Sequence, residues 1–232
     1  MKKQISTIFT LVFLISSFNL FAQTNEETRT VSIFNGVEIS NSIEADLVKG
    51  DRYEVQIMAS GTDASNVVTE VKDRQLKVKM GKGSFGTNTV KVVITYAGKL
   101  DKISSNSSAK VFVKDLVKSK NLTLVAENSS YIEGEVNVNS LKLVGMTNGK
   151  IFIEGTANEL DLEAFTKATI SGDSLVVKNA EVRTNTAAVS TIVVESSIKG
   201  TAGTAGKVWY TGDPGMVDVK TNTGGDIARK NN

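Results

Sequence analysis

From about Leu100 onward the chain repeats itself at a period near 20 residues, and this constrains the fold more than any other feature. The units Ala109-Lys110-Val111, Ser130-Tyr131-Ile132, Gly149-Lys150-Ile151, Ala168-Thr169-Ile170, Ser190-Thr191-Ile192, Gly206-Lys207-Val208 and Gly225-Asp226-Ile227 recur at intervals of 21, 19, 19, 22, 16 and 19 residues. Each places an Ile or Val two positions after a Gly, Ala or Ser. Four positions before that Ile or Val stand Ser107, Asn128, Thr147, Thr166, Ala188, Thr204 and Thr223. Eight before it, in the first four copies, stand Ile103, Leu124, Leu143 and Leu162.

A copy of this length offers two or three inward apolar residues and cannot bury them alone. Stacking copies at about 4.8 Å makes each position the neighbour of its own equivalent. The Ile/Val column then forms a core rib, the small column fits tight corners, and the Ser/Thr/Asn column can hydrogen-bond along the stack. Seven coils would rise about 34 Å, and crossover chirality favours a right-handed turn. A meandering β-sandwich could imitate half of the period through strands spaced by roughly 8–12 residues. Its turns usually need Pro, Asn-Gly or Asp-Gly, and after residue 100 these reduce to Asn148-Gly149 and Pro214.

Before Leu100 the pattern is alternation. Ile43, Ala45 and Leu47 precede Lys49-Gly50-Asp51, and Tyr53, Val55 and Ile57 follow, which reads as a hairpin. Leu76–Met80 and Val90–Ile94 flank the Gly-rich loop Gly81–Gly86, read as a hairpin tip. That loop lacks the Gly-Lys-Ser/Thr ending of a P-loop. The best helix candidate, Ser65–Lys72, is rich in β-branched Val. The predicted fold is therefore all-β: a right-handed parallel β-helix-like solenoid of about 20-residue coils with an N-terminal hairpin-rich β region.

Residues 1–22 have the form of a secretory signal, with Lys2 and Lys3, an apolar stretch from Ile8, and Leu20-Phe21-Ala22 before Gln23. Interruption by Ser16, Ser17 and Asn19 leaves it short of the roughly 20 apolar residues of a spanning helix. The expected division is a signal peptide at 1–22, a short exposed segment at 23–29, one solenoid domain at 30–227 and a polar tail at 228–232. Export is to the periplasm or cell surface of a Gram-negative-type bacterium. The formal charge of +2 belongs to the signal, because its loss removes two Lys and no acid. A neutral chain of this kind gives no electrostatic reason to expect nucleic acid. No membrane span is expected after cleavage, and without Cys no lipid is attached by that route.

The chain resembles the family of putative auto-transporter adhesin "head GIN" domains. The resemblance is carried by Ile33-Phe34-Asn35-Gly36-Val37-Glu38-Ile39, by Ala45-Asp46-Leu47-Val48-Lys49-Gly50, by the hydroxyl-and-small-residue turns before Ile or Val, and by Lys207-Val208-Trp209-Tyr210-Thr211-Gly212-Asp213-Pro214. It runs from about Thr30 to Ile227. The family's Ser-Gly-Ser-Gly-like turns are replaced here by Asn128-Ser129-Ser130, Thr166-Lys167-Ala168 and Ala187-Ala188-Val189. The resemblance implies an exported β-helical protein and brings no catalytic residue with it. Because the repeats reach Ile227, no translocating barrel of tilted strands is expected within this sequence.

The sequence has no His and no Cys, which excludes Ser-His-Asp triads, thiolate nucleophiles and zinc sites built on either residue. No cofactor, metal site or catalytic residue is assigned. Asp161 and Glu163 are the best carboxylate pair, two residues and about 6.6 Å apart on one strand, a spacing open to a retaining glycosidase or a calcium site. Arg183 is expected opposite Asp161 in the next coil, where an ion pair explains the acid without chemistry. Trp209 is expected to point outward beside Gly212-Asp213-Pro214-Gly215. There it serves as a platform for a sugar or a partner, with Asp213 as a second contact, or else closes the end of the stack. Asn106-Ser107-Ser108 and Asn128-Ser129-Ser130 fit a glycosylation acceptor and are read as turns. The function this favours is a non-enzymatic, adhesin-like surface that binds carbohydrate or an envelope protein. The alternatives are a polysaccharide lyase or glycoside hydrolase using Asp161, Glu163 and Arg183, and an envelope scaffold without a ligand.

Overall fold

The computed structural model describes residues 25–82 and 88–230. The expected signal sequence lies outside the described residues. The N-terminal part is built from β1 (Asn25–Thr30), β2 (Gly36–Ile39), β3 (Glu44–Lys49), β4 (Glu54–Ser60), β5 (Val67–Lys72), β6 (Gln75–Met80) and β7 (Thr89–Tyr96). The coils continue through β8 (Lys102–Ser105), β9 (Lys110–Val113), β10 (Val117–Glu127), β11 (Tyr131–Met146), β12 (Lys150–Ala164), β13 (Thr169–Thr184) and β14 (Val189–Ala202). They end in β15 (Lys207–Thr211), β16 (Met216–Thr221) and β17 (Asp226–Arg229). Pairing from β8 to β17 is parallel throughout, so this part is the expected β-solenoid.

Each full coil has two sides. In β11 the inward residues Ile132, Val136 and Val138 form a leading side, and Leu141 and Leu143 form a trailing side. The ladder skips Asn139 and Asn158 between them. The second bend is sharper. At every coil two consecutive residues have positive φ, namely Ser107/Ser108, Asn128/Ser129, Thr147/Asn148, Thr166/Lys167, Thr186/Ala187, Thr204/Ala205 and Thr223/Gly224. The amide after each pair closes back on the residue before it, as in Gly149 N to Met146 O at 2.9 Å. This is the pattern of a type I′ turn. Asn41/Ser42 make the same bend between β2 and β3.

These corners are tied to one another through the main chain. The second residue of each donates its amide to the carbonyl of the first residue in the next coil, from Ser42 N to Ser107 O at 2.9 Å through Ala205 N to Thr223 O at 3.1 Å. The Ser/Thr/Asn column therefore does bond along the stack, and its carbonyls do so directly. The small column follows the corners inward: Ala109, Ser130, Ala168 and Ala188 are buried. A Cβ on Gly149 would stand 2.0 Å from the Ala126 carbonyl oxygen.

The ribs are continuous. Leu76, Val37, Ile103, Leu124, Leu143, Leu162 and Val182 follow one another in register and are buried. The Ile/Val rib runs Val111, Ile132, Ile151, Ile170, Ser190 and Val208, which corrects the fifth copy. Its unit is Ala188-Val189-Ser190, and Ile192 pairs instead with Tyr210. Ser190 is 0% exposed and its hydroxyl has no hydrogen-bond partner.

The N-terminal region is interleaved with the stack. β2 pairs in parallel with both β6 and β8, and β3 with both β7 and β9, so the β2–β3 coil sits between two that come later in sequence. The hairpin expected over residues 43–57 does not form. β3 takes parallel partners, while β4 runs antiparallel to β7 and carries β1 on its other edge. Likewise β6 and β7 lie on the two sides of one coil, so the Gly-rich loop is a long corner between them and not a hairpin tip. Residues 83–87 of that loop lie outside the described residues. The one tight hairpin joins β5 to β6 through Asp73 and Arg74, both at positive φ. The helix candidate resolves into a single 3-10 turn, Ala64–Asn66, capped by the Asp63 carboxylate, followed by β5. Its β-branched residues suit the strand better than a helix.

Two stability changes follow. Ala187→Gly relieves a left-handed alanine and should gain about 0.5 kcal/mol, whereas Gly149→Ala forces a Cβ into a carbonyl and should cost about 3 kcal/mol in urea unfolding. Equal effects of the two changes would contradict the corner geometry. Ser190→Val restores the rib and removes an unsatisfied buried hydroxyl, and should gain about 1 kcal/mol, or roughly 2–4 °C in melting temperature. A loss there would mean that the hydroxyl is needed.

Candidate functional site

On the trailing side, outward residues fall into charged columns. Lys142, Asp161, Glu181 and Lys199 are in register, and beside them Glu163 faces Arg183. Arg183 is thus opposite Glu163 and not opposite Asp161 as expected, yet its guanidinium reaches both acids at 2.9 Å. Lys142 also holds both, at 2.7 and 2.9 Å, while Glu181 pairs with Arg183 and Lys199 at 2.8 and 3.0 Å. The hydrogen bond from Lys142 is the main cause holding the Glu163 carboxyl below its ordinary 4.5, with the Arg183 bond adding to it. A glycosidase acid needs the opposite shift. The sequence correctly brings Asp161, Glu163 and Arg183 together, and the structure binds them into an ion ladder.

The leading side carries what sequence reasoning missed. Phe112, Glu133, Phe152, Ser171, Thr191 and Trp209 form one outward column, in register coil by coil. Tyr131 belongs to the neighbouring column with Lys110 and Lys150, but its ring lies between the two phenylalanines. Centroids are 5.6 Å apart for Phe112–Tyr131 and 5.2 Å for Tyr131–Phe152, the latter stacked at 29°. The Tyr131 hydroxyl donates to Glu133. Burial between the rings and that acidic neighbour push its phenol up to about 12. Phe152 remains 37% exposed. The signal available in sequence was the aromatic residue one place after Val111 and Ile151, the same outward position of two coils.

Beside the rings runs a groove of about 460 Å³ along the outer leading face. Glu133, Glu135 and Glu154 line it together with the three rings. Asp115 and Asp173 also line it but are engaged: Asp115 accepts the Lys49 amide, and Asp173 accepts the Ser171 and Thr191 hydroxyls. Lys114 is the cationic lining residue; its ammonium lies 4.8 Å from the Phe112 ring centre and 3.1 Å from Asp46. Among the described residues no group of three or more carboxylates is placed to hold a metal ion.

Trp209 is half-buried, three coils beyond Phe152 in the same column and in register with Ala228 of β17. Asp213 is exposed and paired with Arg229 at 3.0 Å. Asn106 and Asn128 are turn residues bonded along the stack, Asn128 donating to the Asn106 amide oxygen at 3.0 Å. No helix among the described residues is long and apolar enough to cross a membrane.

The fold recurs in solved structures from gut anaerobes. A putative adhesin of Bacteroides fragilis superposes with a TM-score of 0.74 at 18% identity, over 90% of this chain and 97% of its own. A putative adhesin of Parabacteroides merdae gives 0.61 at 18% identity over 91% and 98%, and a protein of Parabacteroides distasonis named as a putative lipid binding protein gives 0.54 at 16% over 89% and 97%. At such identities the likeness establishes the fold. No curated protein matches the sequence. A model of the family described as "Putative auto-transporter adhesin, head GIN domain" matches residues 33–214, and the chain belongs to that family.

Proposed function

We propose that this protein is an exported, non-enzymatic interaction module of the bacterial envelope or cell surface, which holds a carbohydrate or protein partner on the outer leading face of its solenoid. The observation that carries this reading is the ring stack Phe112–Tyr131–Phe152, left at the surface beside a groove. Only ten aromatic residues lie beyond residue 22, and setting three of them together on an outer face forgoes burial that the core could have used. Trp209 extends the same column and, with Asp213, is a second contact toward the C-terminal end. Rigid coils fix the separation of such contacts, which suits weak multivalent attachment.

The enzyme alternative rests on Asp161, Glu163 and Arg183, and the ion ladder speaks against it. Each acid is held by two cations, leaving no proton donor at neutral pH. Their role in this reading is to hold neighbouring coils together. Because the folded-state Glu163 carboxyl sits below 4.5, its contribution is fully present above that value and is lost as pH falls through the depressed one. Glu163→Gln should therefore cost about 1 kcal/mol at pH 7, and its unfolding curve should converge on wild type at about pH 3 or below. A pH-independent difference would remove the ionic explanation.

The function itself is tested with arrays of glycans and envelope proteins, run beside a reducing-sugar assay on polysaccharides. Wild type should be retained on some array members, a Tyr131→Ala/Phe152→Ala variant should lose at least about 1.4 kcal/mol of that binding, and no reducing ends should appear. Release of reducing ends that Glu163→Gln abolishes would establish the hydrolase instead.

A further inference from the structure

Resting on the surface-binding reading above, we infer that the groove takes a cationic partner: an extended segment of a protein presenting Lys or Arg side chains to the ring stack and to Glu133, Glu135 and Glu154. Two independent features of the groove point the same way. The first is the rings, whose negative π faces attract cations. Lys114 already shows the arrangement within the molecule, its ammonium 4.8 Å from the Phe112 ring centre. At the other end of the stack Phe152 is the most exposed ring, and no cation of the chain covers it among the described residues.

The second is the charge balance. Glu135 and Glu154 are directly opposite in neighbouring strands, and no ion pair to either exists among the described residues. Glu133 has only the Tyr131 hydroxyl. Like charges facing each other across a ladder are destabilising. The trailing side solves the same problem with its own cations, since the in-register acids Asp161 and Glu181 are flanked by Lys142, Arg183 and Lys199. The groove has no equivalent, because Lys110 and Lys150 stand on the far side of the stack in the Tyr131 column and do not line it. A bound cation supplies the missing neutralisation.

Spacing selects the partner's form. Glu133 and Glu135 are alternate residues of one strand, about 6.6 Å apart, which is also the separation of alternate side chains in an extended peptide. A segment with Lys or Arg at every second position therefore matches both acids in one coil while a flanking side chain meets the Phe152 ring.

The test uses the full mature chain and a labelled peptide of about ten residues alternating Lys and Ser, followed by fluorescence anisotropy at about 50 mM and 300 mM salt. A Glu/Ser peptide and a neutral gluco-oligosaccharide serve as comparisons. The Lys/Ser peptide should bind, weaken with salt, and lose about tenfold in affinity in Glu135→Gln/Glu154→Gln and again in Phe152→Ala. The charge-matched Asp161→Asn/Glu163→Gln variant, altered on the other side, should bind like wild type. Glu135→Gln/Glu154→Gln should unfold no more easily than wild type, so weakened binding cannot be ascribed to misfolding. Equal weakening in both double variants, or no peptide binding at all, overturns the inference. If the oligosaccharide binds in a Phe152-dependent way and the peptide does not, the cationic partner is wrong while the surface-binding function stands.

Discussion

Each coil turns through two consecutive left-handed residues, and the rest of the molecule depends on those corners repeating in register. Left-handed backbone costs a non-glycine residue about 1–2 kcal/mol, and five of the seven repeat corners place a β-branched Thr there. An isolated turn would relax away from such a conformation. Here each corner amide is taken by the corner carbonyl of the next coil, at 2.9–3.1 Å along the stack, so each coil fixes the conformation of its neighbour. Strain is retained because the surroundings over-determine it. That fixes the starting point of every coil, and with it the column in which every later residue lands.

Column formation is what turns a repetitive scaffold into a surface with chemistry. A residue type placed once per coil becomes a row with about 4.8 Å spacing, so rings can stack and carboxylates can bridge without any residue being adjacent in sequence. Departures from equal coil length matter for the same reason. The bulge of β13 at Ser171–Ser174 lets Asp173 accept from both Ser171 and Thr191, removing it from the unpaired acids of the groove. The adjoining coils have no such insertion, and Glu135 and Glu154 stay opposite one another.

Much of this was legible in the sequence because a rib residue packs against its own equivalents. Ile103, Leu124, Leu143 and Leu162 have to agree with each other, and that agreement shows at fixed spacing. The fifth copy misled for the converse reason. Ser190 occupies a rib position with a residue the rib does not favour, and Ile192, inward and two places on, imitates the missing signal. Alternation around Lys49-Gly50-Asp51 specified two strands but not their partners, since period 2 is the same in parallel and antiparallel ladders. The insertion of the β2–β3 coil between β6–β7 and β8–β9 is a long-range choice with no local mark. The ring stack was hidden because Tyr131 sits in the lysine column and joins the phenylalanines only through the direction of its side chain.

The two outer sides then differ in a way that the ladder alone does not require. Both contain acids directly opposite acids, Asp161 with Glu181 on one and Glu135 with Glu154 on the other. On the trailing side the chain completes the arrangement itself, and the result is a cross-coil ion network with structural value. On the leading side the cations that could have done so lie beyond a wall of aromatic rings, and the one lysine in the groove is committed to Asp46 and Phe112. A scaffold that neutralises one face internally and leaves the other unmatched beside exposed rings has divided its sides by task. The trailing side holds the coils together, and the leading side is incomplete until something binds to it.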